Sequence, residues 1–365
     1  MCINRLKILL FLIVNILWVG GVKAQKAAGS ITLHDEKLSF VPREFYIAGV
    51  TDERIDKNSV ASVVYKAGPQ SNVTRPVDLT GGAANAIKQF IAHNLNQKAT
   101  LRPVIITLYN FKLTESTAPG GKINGHLSMV ISFGLQKDYG TLNLVQYKGG
   151  MRYTRPEAQT DVAETILRQG IEDALVWFNN WINQYAEKDI RLAKGVKVKF
   201  SDYTEKPEGD TIYYSVSRPL TWDDFRDKPR STVFDAEIFA GVGYAEHIEI
   251  EEGIIKLEIA VKVHMPKSGS WVKSTALDDY SLNHEQRHFD IAKIVGEHFK
   301  QKIAAMQLPP DNYDGPIHVE YLETLRELTR MQNQYDNETH HGNDRQAQTQ
   351  WNVKIDKELK ELGVK

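Results

Sequence analysis

Between residues 255 and 263 the chain alternates strictly: Ile255, Leu257, Ile259, Val261 and Val263 are apolar and the residues between them polar or small. Successive side chains of a strand point to opposite faces, so this period demands a strand with one buried face. Pro266, Lys267, Ser268 and Gly269 end it. From about residue 279 to 306 the period becomes helical, with Leu282, Phe289, Ala292, Val295, Phe299 and Ile303 on one side. A half-buried strand followed by a striped helix predicts an α+β fold, with a sheet packed against a helix.

At 365 residues the chain is long for one domain, and a prior of about 150 residues per domain suggests two. In the first half, residues 45–50, 62–65, 104–109 and 126–133 read as strands. Residues 80–96 read as a helix with Ile87, Phe90, Ile91 and Leu95 on one face. Residues 161–186 read as a longer one, striped by Val162, Ile166, Ile171, Leu175, Phe178, Ile182 and Tyr185. Asp161 and Glu164 have capping-box spacing. Residues 187–209 are charged and read as a linker with one short strand at 194–200. Strands are then expected at 212–216, 233–244 and 248–250, and helices at 317–336 and 344–362 after the one at 279–306. The expected domains are 25–188, an α+β accessory domain, and 192–365. No chemistry-bearing constellation is apparent in the first of these.

Residues 1–24 read as a secretory signal peptide: Arg5 and Lys7, an apolar stretch from 8 to 19, then Val22-Lys23-Ala24. The apolar stretch is shorter than the roughly 20 residues of a membrane span, so no span is expected in the mature chain. Cys2, the only cysteine, falls in the leader, which excludes disulfides and thiolate chemistry from the mature protein. Lys+Arg number 45 against 46 Asp+Glu. With no basic excess, nucleic acid is not an expected partner.

The chemistry lies in His284-Glu285-Gln286-Arg287-His288, inside the helix expected on other grounds. Histidines at i and i+4 share one helix face about 6 Å apart, so both imidazoles can reach one Zn2+ ion. Glu285 projects to one side, where it can act as general base on a zinc-bound water without ligating. The strand at 255–263 is the candidate edge for an extended substrate.

A catalytic zinc needs a third protein ligand and one open position. The position six residues after His288 is Ile294, which excludes the metzincin extension. His298 lies ten residues on, about 15 Å along the axis, too far to share the ion. The stretch Tyr335-Asp336-Asn337-Glu338-Thr339-His340-His341-Gly342 concentrates ligand-type side chains where a helix ends, with Gly342 suited to the cap. Asp336, His340 and His341 are its candidates, with His318 and Glu323 weaker ones. Asp290 is expected to face away from the metal, and Arg287 to pair with it at i+3.

The segment Leu282-Asn283-His284-Glu285-Gln286-Arg287-His288-Phe289-Asp290-Ile291 resembles the hallmark of a bacterial family of predicted secreted zinc-dependent proteases, known as a domain of unknown function. Leu220-Thr221-Trp222-Asp223-Asp224-Phe225 resembles its opening motif and Ser270-Trp271-Val272 the end of its pre-helix strand. Tyr335-Asp336, Glu338-Thr339, His341-Gly342 and Gln350-Trp351 resemble its closing pattern. The likeness covers roughly residues 210–362. Arg287 stands where the family usually has Gly, and His340 replaces an amide residue. The resemblance implies a zincin-like C-terminal domain, with a twisted antiparallel sheet and an active-site helix, and places His341 at the recurrent ligand position. The expectation is thus a secreted or periplasmic zinc peptidase with His284, His288 and His341 on the metal and Glu285 catalytic. Its partner is a peptide or protein substrate. The alternatives are a non-catalytic metal-binding envelope scaffold and an amidase acting on cell-wall peptide.

Overall fold

The computed structural model describes residues 29–68 and 71–365. The expected leader lies outside them. The chain is mixed α+β and divides into two compact units, Met1–Asn179 and Asn180–Lys365.

The first unit is built on a seven-stranded sheet. Its strands are β1 (Ser30–Ile31), β2 (Phe45–Asp52), β3 (Ala61–Gly68), β4 (Ser71–Leu79), β5 (Arg102–Ala118), β6 (Lys122–Lys137) and β7 (Gly140–Pro156). Helix α1 (Ala83–Asn94) and the long helix α2 (Val162–Tyr185) complete the order, the unit boundary falling within α2. β5, β6 and β7 form an antiparallel meander, while β2 and β3 both pair with β5 in parallel. The stripe on α2 finds the sheet: Phe178 stacks on Phe133 with ring centroids 4.2 Å apart and meets Phe45 edge-on. Glu115 on β5 and Arg155 on β7 form a fully buried pair, completed by the Tyr153 hydroxyl and the Val64 N–H. The Glu164 carboxylate accepts from the main chain of His34, 130 residues away, and from Arg168.

The second unit contains a four-stranded sheet of β8 (Gly195–Asp202), β9 (Thr211–Tyr213), β11 (Gly241–Glu251) and β12 (Ile254–Pro266). A separate two-stranded ladder pairs β10 (Ala236–Glu237) with β13 (Trp271–Val272). Three helices follow: α3 (Asp279–Ala304), α4 (Asp314–Thr339) and α5 (Arg345–Glu361). Alternate residues of β12 are buried from Ile255 to Met265, in one core with Phe289, Ala292, Val295 and Phe299 of α3 and Tyr335, Trp351 and Ile355 of α4 and α5. Gly296 lets α3 come close: a Cβ there would lie 2.9 Å from a Val263 methyl.

Three expectations need correction. The four-stranded sheet is mixed rather than antiparallel, because β8 pairs with β12 in parallel. Strand 255–263 is no edge: β11 covers one side of β12, and β8 and β9 cover the other. Alternation reports which face is buried, whereas direction and edge position depend on partners remote in sequence. The run 233–244 is not one strand. It breaks after Glu237 and resumes at Gly241 as β11.

Candidate metal centre

Asp278 caps α3, its carboxylate accepting from Ser281 N at 2.9 Å and Ser281 Oγ at 3.0 Å. One turn in, His284 and His288 lie on the same face, with ring centroids 4.9 Å apart and planes perpendicular. Both are buried. Asp336 enters from α4, Oδ1 lying 3.3 Å from His284 Nε2 and 3.0 Å from His288 Nε2. Each of the three residues offers a ligand atom within 4.8 Å of the other two.

His341, expected as third ligand, is not in this group. Its Nδ1 lies 3.5 Å from Asp336 Oδ1, the side chain is 45% exposed, and the ring rests 4.4 Å from that of Phe234. The reason is the end of α4. His340, His341 and Gly342 all have left-handed backbone, with φ of 50°, 52° and 77°, so the chain turns sharply just past Thr339 and carries His341 toward the mouth. Gly342 is the residue that this turn requires: besides its φ, a Cβ there would meet the His284 ring at 3.3 Å. Tyr280 Oη donates to its carbonyl at 2.6 Å. His340 is exposed. His298 is engaged elsewhere, Nδ1 lying 2.8 Å from Glu327 and Nε2 3.4 Å from Glu358. Neither His318 nor Glu323 belongs to the group.

The Asp336 oxygen tests whether a cation fits. Oδ1 is buried and makes no well-directed hydrogen bond, although imidazole nitrogens stand on it from three sides. Burial of a carboxylate oxygen without partners is costly, and a cation shared with the two Nε2 atoms removes that cost. One carboxylate and two imidazoles are ligands that zinc accepts. Burial raises the Asp336 pKa, but the His284 and His288 side chains outweigh it and hold the carboxyl well below its usual range. Burial lowers that of His288, yet the Asp336 carboxylate raises it above the ordinary value on balance.

Glu285 is buried beside this group without belonging to it. Its Oε2 accepts from the Ile238 N–H at 2.9 Å, just beyond β10. Burial pushes its pKa up, against the opposing pull of His288 and His284. Residues 233–240 form one wall of a cleft of about 640 Å³, with Tyr280, Arg345 and His341 among its other residues and His284, Glu285, His288 and Asp336 on its floor.

Contacts that the sequence reading missed hold the centre in place. His284 Nδ1 lies 2.9 Å from Gln348 Oε1, and His288 Nδ1 meets Gln332 Oε1. Tyr335 is fully buried and stacks on His284. The opening motif braces the same helix: Leu220 N–H donates to Gln286 Oε1 at 2.9 Å, and Gln286 Nε2 to Asp290 at 3.1 Å. Asp290 also receives Tyr214 Oη at 2.8 Å and Arg287 at 2.9 Å, the pairing expected at i+3. In the closing pattern, Trp351 Nε1 donates to Glu338 at 2.8 Å, which fastens α5 to α4. Among these contacts, the Arg287 pair at i+3 and the Gln286 pair at i+4 are the ones that spacing within one helix signals.

No family model matches the chain, and no curated protein matches it in sequence. The resemblance to secreted zinc-dependent proteases therefore stands on its motif residues. Among solved structures, the chain is similar to a crystal structure from Xanthomonas campestris described under the family model DUF330. The TM-score is 0.31 at 8% identity, over 43% of this chain and 98% of that one. A likeness at that level carries no argument about fold or function. Among the described residues no helix is long and apolar enough to cross a membrane.

Proposed function

We propose that the second unit is a zincin-like hydrolase domain and the protein a zinc-dependent peptidase of the periplasm or extracellular space. The observation that carries this reading is the meeting of His284, His288, Asp336 and the buried Glu285 on the floor of one cleft. When bound, zinc supplies a Lewis acid that polarises the scissile carbonyl. Glu285 takes the proton from the attacking water and passes it to the leaving amine as the C–N bond breaks. The Ile238 N–H holds its orientation.

The cleft wall suits an extended peptide. Lys273 N–H donates to the Asp235 carbonyl at 2.8 Å, so Asp235 and Glu237 turn their main chain toward β13. In an antiparallel ladder the intervening residue faces the other way. The Ala236 main chain is thus free to pair with a substrate strand on the cleft side. His341 stands at the mouth, where it contacts substrate instead of ligating. The first unit positions the enzyme or recruits its substrate.

The test is Glu285→Gln in the exported protein. Zinc content should stay at wild-type level, while cleavage falls on the order of a hundred- to ten-thousand-fold. The substrates are a denatured-protein mixture and cell-wall peptide, with chelator inhibition as control. Cleavage of cell-wall peptide alone selects the amidase alternative. A zinc-loaded wild type that cleaves neither selects the non-catalytic scaffold. Undiminished cleavage by the variant refutes the role of Glu285.

A further inference from the structure

We propose that Gln332 and Gln348 are positioning residues that fix which nitrogen of each metal-site imidazole faces the metal, and that each histidine's own main-chain carbonyl sets its tautomer through one of these glutamines. The proposal rests on the reading of His284, His288 and Asp336 as metal ligands, and gives a task to two residues that hold no metal.

A side-chain amide has one end that donates and one that accepts, told apart by their partners. Gln332 on α4 meets two atoms of His288: the carbonyl oxygen, 3.0 Å from Nε2, and ring Nδ1, next to Oε1. A carbonyl can only accept, so the NH2 end must face it. Oε1 is left against Nδ1, and Nδ1 must therefore carry the proton.

At His284 the same logic runs through one more group. Tyr335 Oη donates to the His284 carbonyl at 3.3 Å. Having spent its proton there, the hydroxyl accepts from Gln348 Nε2 at 2.6 Å. That turns Gln348 Oε1 toward His284 Nδ1, 2.9 Å away. Gln348 Nε2 also reaches Asn352 Oδ1 at 2.9 Å. Flipping either amide would set its oxygen against one that can only accept, the His288 carbonyl or Asn352 Oδ1, or against the Tyr335 hydroxyl, whose proton is already donated. Gln348 and Tyr335 are almost completely buried, so water cannot repair such a mismatch.

With the proton on Nδ1, both Nε2 atoms are the ones left to bind metal, and both are aimed at Asp336 Oδ1. Partners that orient ligand imidazoles are often carboxylates, which also add negative charge. Here they are neutral amides. Gln332 lies one turn before Asp336 on α4, and Gln348 lies in the first turn of α5, whose cap Asp344 accepts from Gln346 N and Ala347 N at 3.0 Å each. The packing of α4 and α5 on α3 thus builds the support for the site.

The experiment measures zinc affinity of the full chain by competition with a chromophoric chelator, comparing wild type with Gln332→Met, Gln348→Met, Gln332→Glu and Gln348→Glu. Met keeps the length but cannot accept from Nδ1–H, and Glu keeps that acceptor while losing the NH2 that meets the His288 carbonyl or the Tyr335 hydroxyl. Each Met variant should bind zinc roughly 10- to 100-fold more weakly, and each Glu variant should fall between Met and wild type. Long-range 15N–1H spectra of zinc-loaded wild type should show metal on Nε2 and a protected proton on Nδ1 of both rings. Gln332 is only partly buried, so its variants are the arm least exposed to misfolding. Met variants that bind like wild type, Met and Glu variants that weaken alike, or zinc on Nδ1 in the wild type would each overturn the proposal. A wild type that takes up no zinc would overturn the metal reading itself, a failure distinguishable because it precedes any substitution.

Discussion

Replacing Asp336 by Ala should empty the metal site, whereas replacing His341 by Ala should leave it filled. Asp336 Oδ1 is the atom that His284 Nε2 and His288 Nε2 both approach, and without a cation it is a buried oxygen lacking a directed partner. Four-ligand zinc sites carry about 10 to 16 kcal/mol of binding free energy, or about 2.5 to 4 kcal/mol per ligand if shared evenly. At about 1.4 kcal/mol per decade, removing Asp336 should weaken zinc roughly a hundred- to a thousand-fold. His341 is partly exposed and lies 3.5 Å from Asp336 rather than in the group of three, so His341→Ala should change affinity by less than about tenfold, below the roughly 10- to 100-fold loss that removing a partner of a ligand brings. The assay is titration against a chromophoric chelator, with metal content after dialysis as a second measure. The geometric argument is refuted if Asp336→Ala retains wild-type affinity while His341→Ala loses the metal.

Gly342→Ala should weaken zinc and lower thermal stability together, because φ of 77° strains any side chain and the new Cβ meets the His284 ring at 3.3 Å; backbone strain of this kind costs about 1 to 3 kcal/mol. Asp224 should make the second unit sensitive to acid. Burial raises its pKa, but the Arg218 fork at 2.7 and 2.9 Å and the Thr221 N–H hold it below the ordinary 3.8. A depressed carboxyl contributes fully above its unfolded value and loses that contribution as pH falls through the folded one. The stability difference between wild type and Asp224→Asn, measured by denaturant titration, should therefore be flat above about pH 5 and shrink below about pH 4; a difference that grows on acidification would contradict this. In the first unit, Glu115→Gln should destabilise by about 3 to 5 kcal/mol, because it strands the buried Arg155 guanidinium, and chemical denaturation followed by Trp fluorescence would measure it.

Local pattern settled much of this chain. Period-two alternation from Ile255 to Val263 became β12, and the helical stripe around Phe289 and Phe299 became α3, because side-chain direction follows backbone period wherever one face is buried. The i, i+4 spacing brought His284 and His288 onto one face, and the i+3 spacing paired Arg287 with Asp290, since a helix fixes such distances by itself. Strands β4 and β7 were not legible: β7 is interrupted by Gly149 and Gly150 and nowhere presents a continuous apolar face, and β4 has a polar first half.

What spacing within one element cannot carry is which residue of another element arrives. Asp336 and His341 lie five positions apart at a helix end, and three consecutive left-handed residues decide which of them turns inward. The same holds for Gln332, Tyr335 and Gln348, whose polar groups look ordinary in sequence and acquire meaning only because α4 and α5 pack on α3. The strand that lines the cleft followed this rule too: β12 has the strongest alternation but is enclosed by neighbours, while the two-residue β10 borders the cleft. Periodicity is a property of one segment and is written in the sequence. Edge position, ligand convergence and the partner of each buried polar atom belong to pairs of segments and are settled only when the chain packs.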